Sequence, residues 1–301
     1  MRARFKQLLA FFQIVVAMPK VYGVSPMPDF YQEPMTSFEW VDPDWTSYVL
    51  PGACIGGGYR SRLLLRGLAP LLLLVVVLIG FAALECVNAC KDSRRVSPKK
   101  TALSALPAFL FLSFCMCPGV SASIFSAWGC DLYDVDSDAK LTQSFLREDP
   151  SLVCAVNGEA TDEHTSIRNL AFFFVAIWPI GLPMCYLLLL LACRTSLLEK
   201  RTTPLVLATE TLHEEYTPAC FWWELLPLLQ RLTLTGFLLL IPEEAELWRV
   251  LTGTMVAFLY FAALLYMRPF LRHDVNLIAI GTQLSLFFVF VWEHFATWGR
   301  N

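Results

Sequence analysis

Six long apolar stretches constrain this chain more than any other feature: Leu63–Val87, Ala102–Trp128, Asn169–Cys193, Phe221–Ile241, Leu247–Met267 and Val275–Trp298. Each meets the ~20 mostly apolar residues needed to cross a bilayer as a helix. None alternates in the manner of a membrane strand, which argues against a β-barrel. In lipid the backbone finds no outside partner, so a single spanning segment has to be helical. The expected fold is all-α, a polytopic transmembrane helix bundle forming one domain over residues 1–301. Composition agrees: 56% of residues are hydrophobic and 16% charged, against roughly a quarter charged in soluble domains.

A seventh stretch, Phe5–Tyr22 ("FKQLLAFFQIVVAMPKVY"), has a basic start and a shorter apolar run. A spanning helix, an interfacial helix and a signal peptide all fit it, although Pro19 and Lys20 spoil a small-residue cleavage site.

Loop charges orient the bundle. Bases gather at Arg2, Arg4 and Lys6, at Lys91–Lys100, at Arg194–Arg201, and at Arg268 and Arg272. Acids gather on the opposite loops, at 29–44, 131–163 and 243–246. The alternation holds if Phe5–Tyr22 crosses, which makes the N-terminus cytoplasmic. Arg60, Arg62 and Arg66 run against it, and the 194–220 loop is mixed in charge.

The outer segment 24–60 mixes aromatics with acids, as a short interfacial helix would. Its "PGACIGGG" lacks the preceding strand and following Lys-Ser/Thr of a phosphate loop. The outer loop 129–168 holds "DVDSD", but Ala139 and Phe145 stand where a calcium loop needs Gly and Glu. Cys130 and Cys154 share that loop on the oxidising side, and a disulfide between them would close about 25 residues. The remaining cysteines form no C-x-x-C pair and the four histidines are scattered. No metal site, cofactor, catalytic constellation or nucleic-acid surface is therefore expected.

Prolines mark the helices. Pro118 lies in "CPG", Pro179 and Pro183 in "WPIGLP", and Pro227 in the fourth long stretch. Each removes a backbone donor, giving either an ordinary kink or a hinge. That fourth stretch, "FWWELLPLLQRLTLTGFLLLI", also carries Glu224, Gln230 and Arg231. Glu224 and Arg231 are one heptad apart, within about 20° of one helix face and about 10 Å along its axis. A charge near mid-bilayer costs a few kcal/mol, so both should turn inward toward other polar groups. Glu85 and Gln283 are the expected partners, together with the Trp223 carbonyl freed by Pro227. The joints 242–246 and 268–274 are too short for a re-entrant pore helix and filter.

Four segments in this order, "KQLLAFFQIVVAMPKVYGV", "SFLREDPSLVC", "FWWELLPLLQRLTLTGFLLL" and "MRPFLRHDVNLIAIGTQLSLFFVF", resemble the C-terminal membrane region of a broad group of algal and protist proteins described as TRP-like, after transient receptor potential channels and polycystins. The resemblance covers residues 5–298. It implies a cation-channel, transport or sensory role; from the residues the chain is expected to be non-enzymatic and multi-pass, in the lipid bilayer of the plasma membrane, with a homo-oligomer among the expected partners. The alternative is a non-conducting receptor or scaffold module. Neither the ion nor the ligand is specified.

Overall fold

The computed structural model describes residues 2–22, 58–91, 95–136, 141–242 and 245–298. The interfacial-helix reading of 24–57, most of the glycine-rich turn, Ala139 and the acids Glu243 and Glu244 lie outside the described residues.

Helix α1 is Arg2–Tyr22, α2 is Gly58–Lys91 and α3 is Pro98–Phe125. After a small sheet, α4 (Asp162–Val175) passes through a π-helical turn, Ala176–Gly181, into α5 (Leu182–Leu198). Two short helices follow, α6 (Pro204–Ala208) and α7 (Glu210–His213). The last three are α8 (Leu225–Thr235, continued by a 3-10 turn at Phe237–Leu240), α9 (Glu246–Met267) and α10 (His273–Trp298). Among the described residues, five helical stretches are long and apolar enough to cross a membrane: Gly58–Lys91, Pro98–Trp128, Asp162–Leu198, Leu247–Met267 and His273–Phe295.

Local chemistry sets the ends and bends. Pro98 opens α3, where its missing N–H is not needed. Thr161 caps α4 by accepting the N–H of His164 at 3.3 Å, and Asp162 and Glu163 favour the positive end of that helix. The π-helical turn coincides with Trp178–Gly181 of the "WPIGLP" motif, with Pro179 inside it and Pro183 opening α5. Pro118, by contrast, lies within an unbroken α3.

The expected span 221–241 is the largest departure. Residues Phe221–Glu224 form turns, and the α-helix covers only Leu225–Thr235. With its 3-10 continuation the helical stretch Leu225–Leu240 rises about 25 Å, still short of a hydrocarbon core of about 30 Å. Such a short helix is tolerated because protein covers most of it: α8 packs against α1, α3, α5 and α9 and leaves only the Leu229 side open. Leu228 and Leu232 join the cluster built from α3, α4 and α5, whereas Leu234 and Leu238 join that of α1, α9 and α10. Pro227 therefore kinks no span. It sits in the first turn of α8, and the Trp223 carbonyl is taken by the N–H of Leu226 at 3.0 Å.

Helix α1 is part of the bundle, with Gln13, Ile14, Val15, Met18, Val21 and Tyr22 all buried. At the other extreme α2 leaves Leu72, Val76, Ile79 and Leu84 more than 60% exposed. In a bilayer that face meets acyl chains.

The all-α expectation needs correction for the outer loop. Residues 130–160 contain a four-stranded antiparallel sheet in the order β1 (Cys130–Asp136), β2 (Leu141–Leu146), β3 (Asp149–Val156), β4 (Glu159–Ala160). Asn157 and Gly158 both have positive φ, 49° and 84°, the backbone a two-residue hairpin requires. Leu146 and Leu152 bury the sheet on the bundle, and Arg62 of α2 ion-pairs with Asp149. The expected disulfide joins Cys130 to Cys154.

Candidate functional site

The inward-facing charges meet along the seam between α1 and α8. Lys6 Nζ donates to Glu224 Oε2 at 2.8 Å, and Arg231 Nη1 donates to Gln13 Oε1 at 2.8 Å. Both pairs are separated by the same 218 positions. A constant offset means that the two segments run parallel in register, with one heptad between the rungs. Polar residues seven apart in α1 thus answer polar residues seven apart around α8.

At the first rung Glu224 is 1% exposed and also accepts the Tyr216 hydroxyl at 2.8 Å. Lys6 makes a second bond to the Thr211 carbonyl at 3.0 Å. Beside this rung lies a cavity of about 380 Å³, lined among others by Lys6, Phe111, Phe114, Glu210, Glu215 and Glu224. One oxygen of Glu215 is buried without a hydrogen-bond partner. Burial pushes that carboxyl above the usual range, with Glu224 adding to the shift and Lys6 opposing it.

At the second rung Arg231 is fully buried. Its Nη1 also donates to the Phe114 carbonyl at 3.3 Å, its Nε to the Pro227 carbonyl at 3.3 Å, and its guanidinium lies 3.8 Å from the Phe114 ring centre. The Phe114 carbonyl is available for a reason visible in the sequence. Pro118, four residues on, has no N–H to return to it. The neighbouring Cys115 carbonyl accepts Gln13 Nε2 at 2.9 Å, so Gln13 bridges α3 and Arg231. Every acceptor around Arg231 is neutral. Among the described residues no carboxylate lies within ion-pair range, and Nη2 has no acceptor.

Two further contacts seat α1. Arg249 of α9 is buried and donates to the carbonyls of Val21, at 2.7 Å, and Ile241, filling orphan acceptors at the ends of α1 and of the 3-10 turn. Arg4 ion-pairs with Asp274 at the start of α10.

Of the expected polar residues, Gln230 and Gln283 bond each other at 2.8 Å between α8 and α10. Glu85 does not join them. It pairs with Lys100 at 3.7 Å, where α2 and α3 face each other across their connection. Glu224 and Arg231 do not bond each other. Residue reasoning missed Lys6, Gln13, Tyr216 and Arg249. The heptad spacing of Lys6 and Gln13 was a usable signal, but an ambiguous first helix gave it no partner.

Chemically the seam is a charge lock. Among the described residues it holds a buried ion pair, Lys6–Glu224, and a buried guanidinium, Arg231, on neutral acceptors. No family model, no curated protein and no solved structure matches the chain.

Proposed function

We propose that the chain is a multi-pass integral membrane protein acting as a non-conducting receptor or scaffold module, in which the α1–α8 seam fixes the bundle and the cavity beside Lys6 takes up a ligand. The observation carrying this reading is that the internal charges are consumed by neighbouring helices: Glu224 by Lys6 and Tyr216, Arg231 by Gln13 and two carbonyls. Groups held in this way stabilise packing and do not line an open ion path. The same reading places the Lys6 end in the cytoplasm, beside the basic loops, and the sheet outside. A plasma-membrane location and a homo-oligomeric assembly belong to the proposal, as does the absence of catalysis.

A TRP-like cation channel or sensory module is the second reading. It rests on the four sequence segments named above and on the partnerless Nη2 of Arg231, a polar group inside the bundle without a structural use. Ion flux into proteoliposomes separates the two. The receptor reading expects no cation flux above that of empty vesicles, for the wild type and for Arg231→Ala alike. Wild-type flux that Arg231→Ala alters would replace it with the channel reading. Accessibility tags at the N-terminus and at residue 95 should report the same side; opposite sides would remove α1 as a spanning partner of α8.

A further inference from the structure

Among the described residues, one cluster of metal-ligating side chains lies away from the seam. Cys130 opens β1, Cys154 lies on β3 and His164 is in the first turn of α4. Their ligand atoms all lie within 4.8 Å of one another. His164 is 6% exposed and points Nε2 at Cys130 Sγ, 3.6 Å away, while contacting the Ala127 carbonyl at 3.1 Å. We propose that reduction of the Cys130–Cys154 disulfide turns this cluster into a three-ligand site for zinc or a similar borderline divalent metal, with Cys130, Cys154 and His164 as ligands.

The geometry fits without rebuilding the backbone. Zinc binds thiolate at about 2.3 Å and imidazole at about 2.0 Å, so a tetrahedral ion separates S from N by about 3.6 Å. That is the distance already present between Cys130 and His164. The Cα atoms of the two cysteines are 6.5 Å apart, and side-chain rotation lets the freed sulfurs move to either side of an ion. Three protein ligands leave a fourth position for water.

The three backbone positions do not depend on the disulfide. Gly129, next to Cys130, accepts the Arg147 N–H at 2.9 Å, and Arg147 ion-pairs with Asp131 at 2.6 Å. The Cys154 carbonyl accepts the Thr161 N–H at 2.9 Å. The Thr161 hydroxyl bonds the Val153 carbonyl at 2.7 Å and caps the helix carrying His164. Opening the S–S bond therefore leaves the ligands aimed at one point.

The chemistry balances with a dithiol as reductant. The dithiol supplies two electrons and two protons and becomes a cyclic disulfide; the Cys130–Cys154 bond breaks to two thiols. Metal binding then displaces both thiol protons. Neutral His164 carries its hydrogen on Nδ1 and presents the Nε2 lone pair, giving up its contact with Ala127.

The test uses the full chain in detergent micelles, oxidised or reduced with dithiothreitol that is then removed under argon, and titrated with Co²⁺ as a coloured stand-in for zinc. Reduced protein should bind one Co²⁺ per chain with the visible bands of a tetrahedral thiolate site, and oxidised protein should show none. Cys130→Ser and Cys154→Ser should abolish these bands, and His164→Gln should weaken binding about tenfold or more. A disulfide in oxidised His164→Gln, seen by non-reducing mass spectrometry, certifies that its sheet has folded. The proposal is overturned by a disulfide that resists dithiothreitol in the folded protein, by a reduced wild type without tetrahedral bands, or by bands that His164→Gln leaves unchanged.

Discussion

The pair Lys6–Glu224 should be strongly coupled energetically, and the structure says by how much. Lys6→Met removes the cation and leaves Glu224, 1% exposed, with the Tyr216 hydroxyl as its remaining bonded donor. Stranding one member of a buried pair costs about 3–5 kcal/mol. The Lys6 side chain is 13% exposed, so part of its charge is already solvated and the lower end, about 3 kcal/mol, applies. Glu224→Gln keeps an acceptor for Tyr216 and leaves Lys6 bonded to the Thr211 carbonyl, so it should cost only about 1–2 kcal/mol. The double variant buries no unpaired charge, and Met packs on Phe114, whose ring lies 5.1 Å from the Lys6 ammonium. Its cost should be about 2 kcal/mol, leaving a coupling of about 2–3 kcal/mol. Equilibrium unfolding of the full chain in mixed micelles, read through tryptophan fluorescence, measures all four corners; Trp223, next to Glu224, is fully buried. Lys6→Met should shift the unfolding equilibrium by about two orders of magnitude. Additivity within about 0.5 kcal/mol would refute the claim that this rung joins α1 to α8.

Three further outcomes follow from particular contacts. Gly67→Ala places a Cβ 2.5 Å from the buried Phe174 ring and should cost about 1–3 kcal/mol, whereas Gly80→Ala on the same helix meets nothing within 4 Å and should be neutral or stabilising; thermal denaturation in detergent compares them. Glu215 has its carboxyl pushed up by burial, so its protonated form favours the fold: stability is greatest below the unfolded value and falls as pH rises through the folded one. Glu215→Gln should therefore raise the melting temperature at neutral pH and lose that advantage on acidification; an equal gain at both pH values would refute the assignment. Gln13→Leu removes the acceptor of Arg231 Nη1 and the donor to the Cys115 carbonyl, and should destabilise by about 2 kcal/mol or more in the same unfolding assay; no loss would show that Arg231 does not depend on α1.

Some of this was legible from residues alone. The long apolar runs gave five of the helices because lipid-facing segments must be continuous and uniformly apolar. The site was half legible. Glu224, Gln230, Arg231 and Gln283 stood out as polar residues in apolar surroundings, and Gln230 does bond Gln283. Hydropathy ranks polar residues without saying which helices are neighbours, so it could not show that the α2–α3 connection brings Lys100 to Glu85. The sheet was missed although Asn157-Gly158 is a strong hairpin signal. A loop read by its acids and cysteines concealed alternating strands.

What the sequence by itself determined is the class of object: apolar helices for a bilayer, a cross-linked acidic loop, and charges that had to turn inward, since each follows from the solvent a residue can tolerate. Only the tertiary structure decided that α8 is a short central helix sheltered by protein, and that α1 is its parallel partner in register. The reason is physical. Pairing depends on which faces are brought together: the Phe114 carbonyl is free because Pro118, four residues on, has no N–H to return to it, but only the packing of α3 against α8 sets that carbonyl beside Arg231, more than a hundred residues away in the chain.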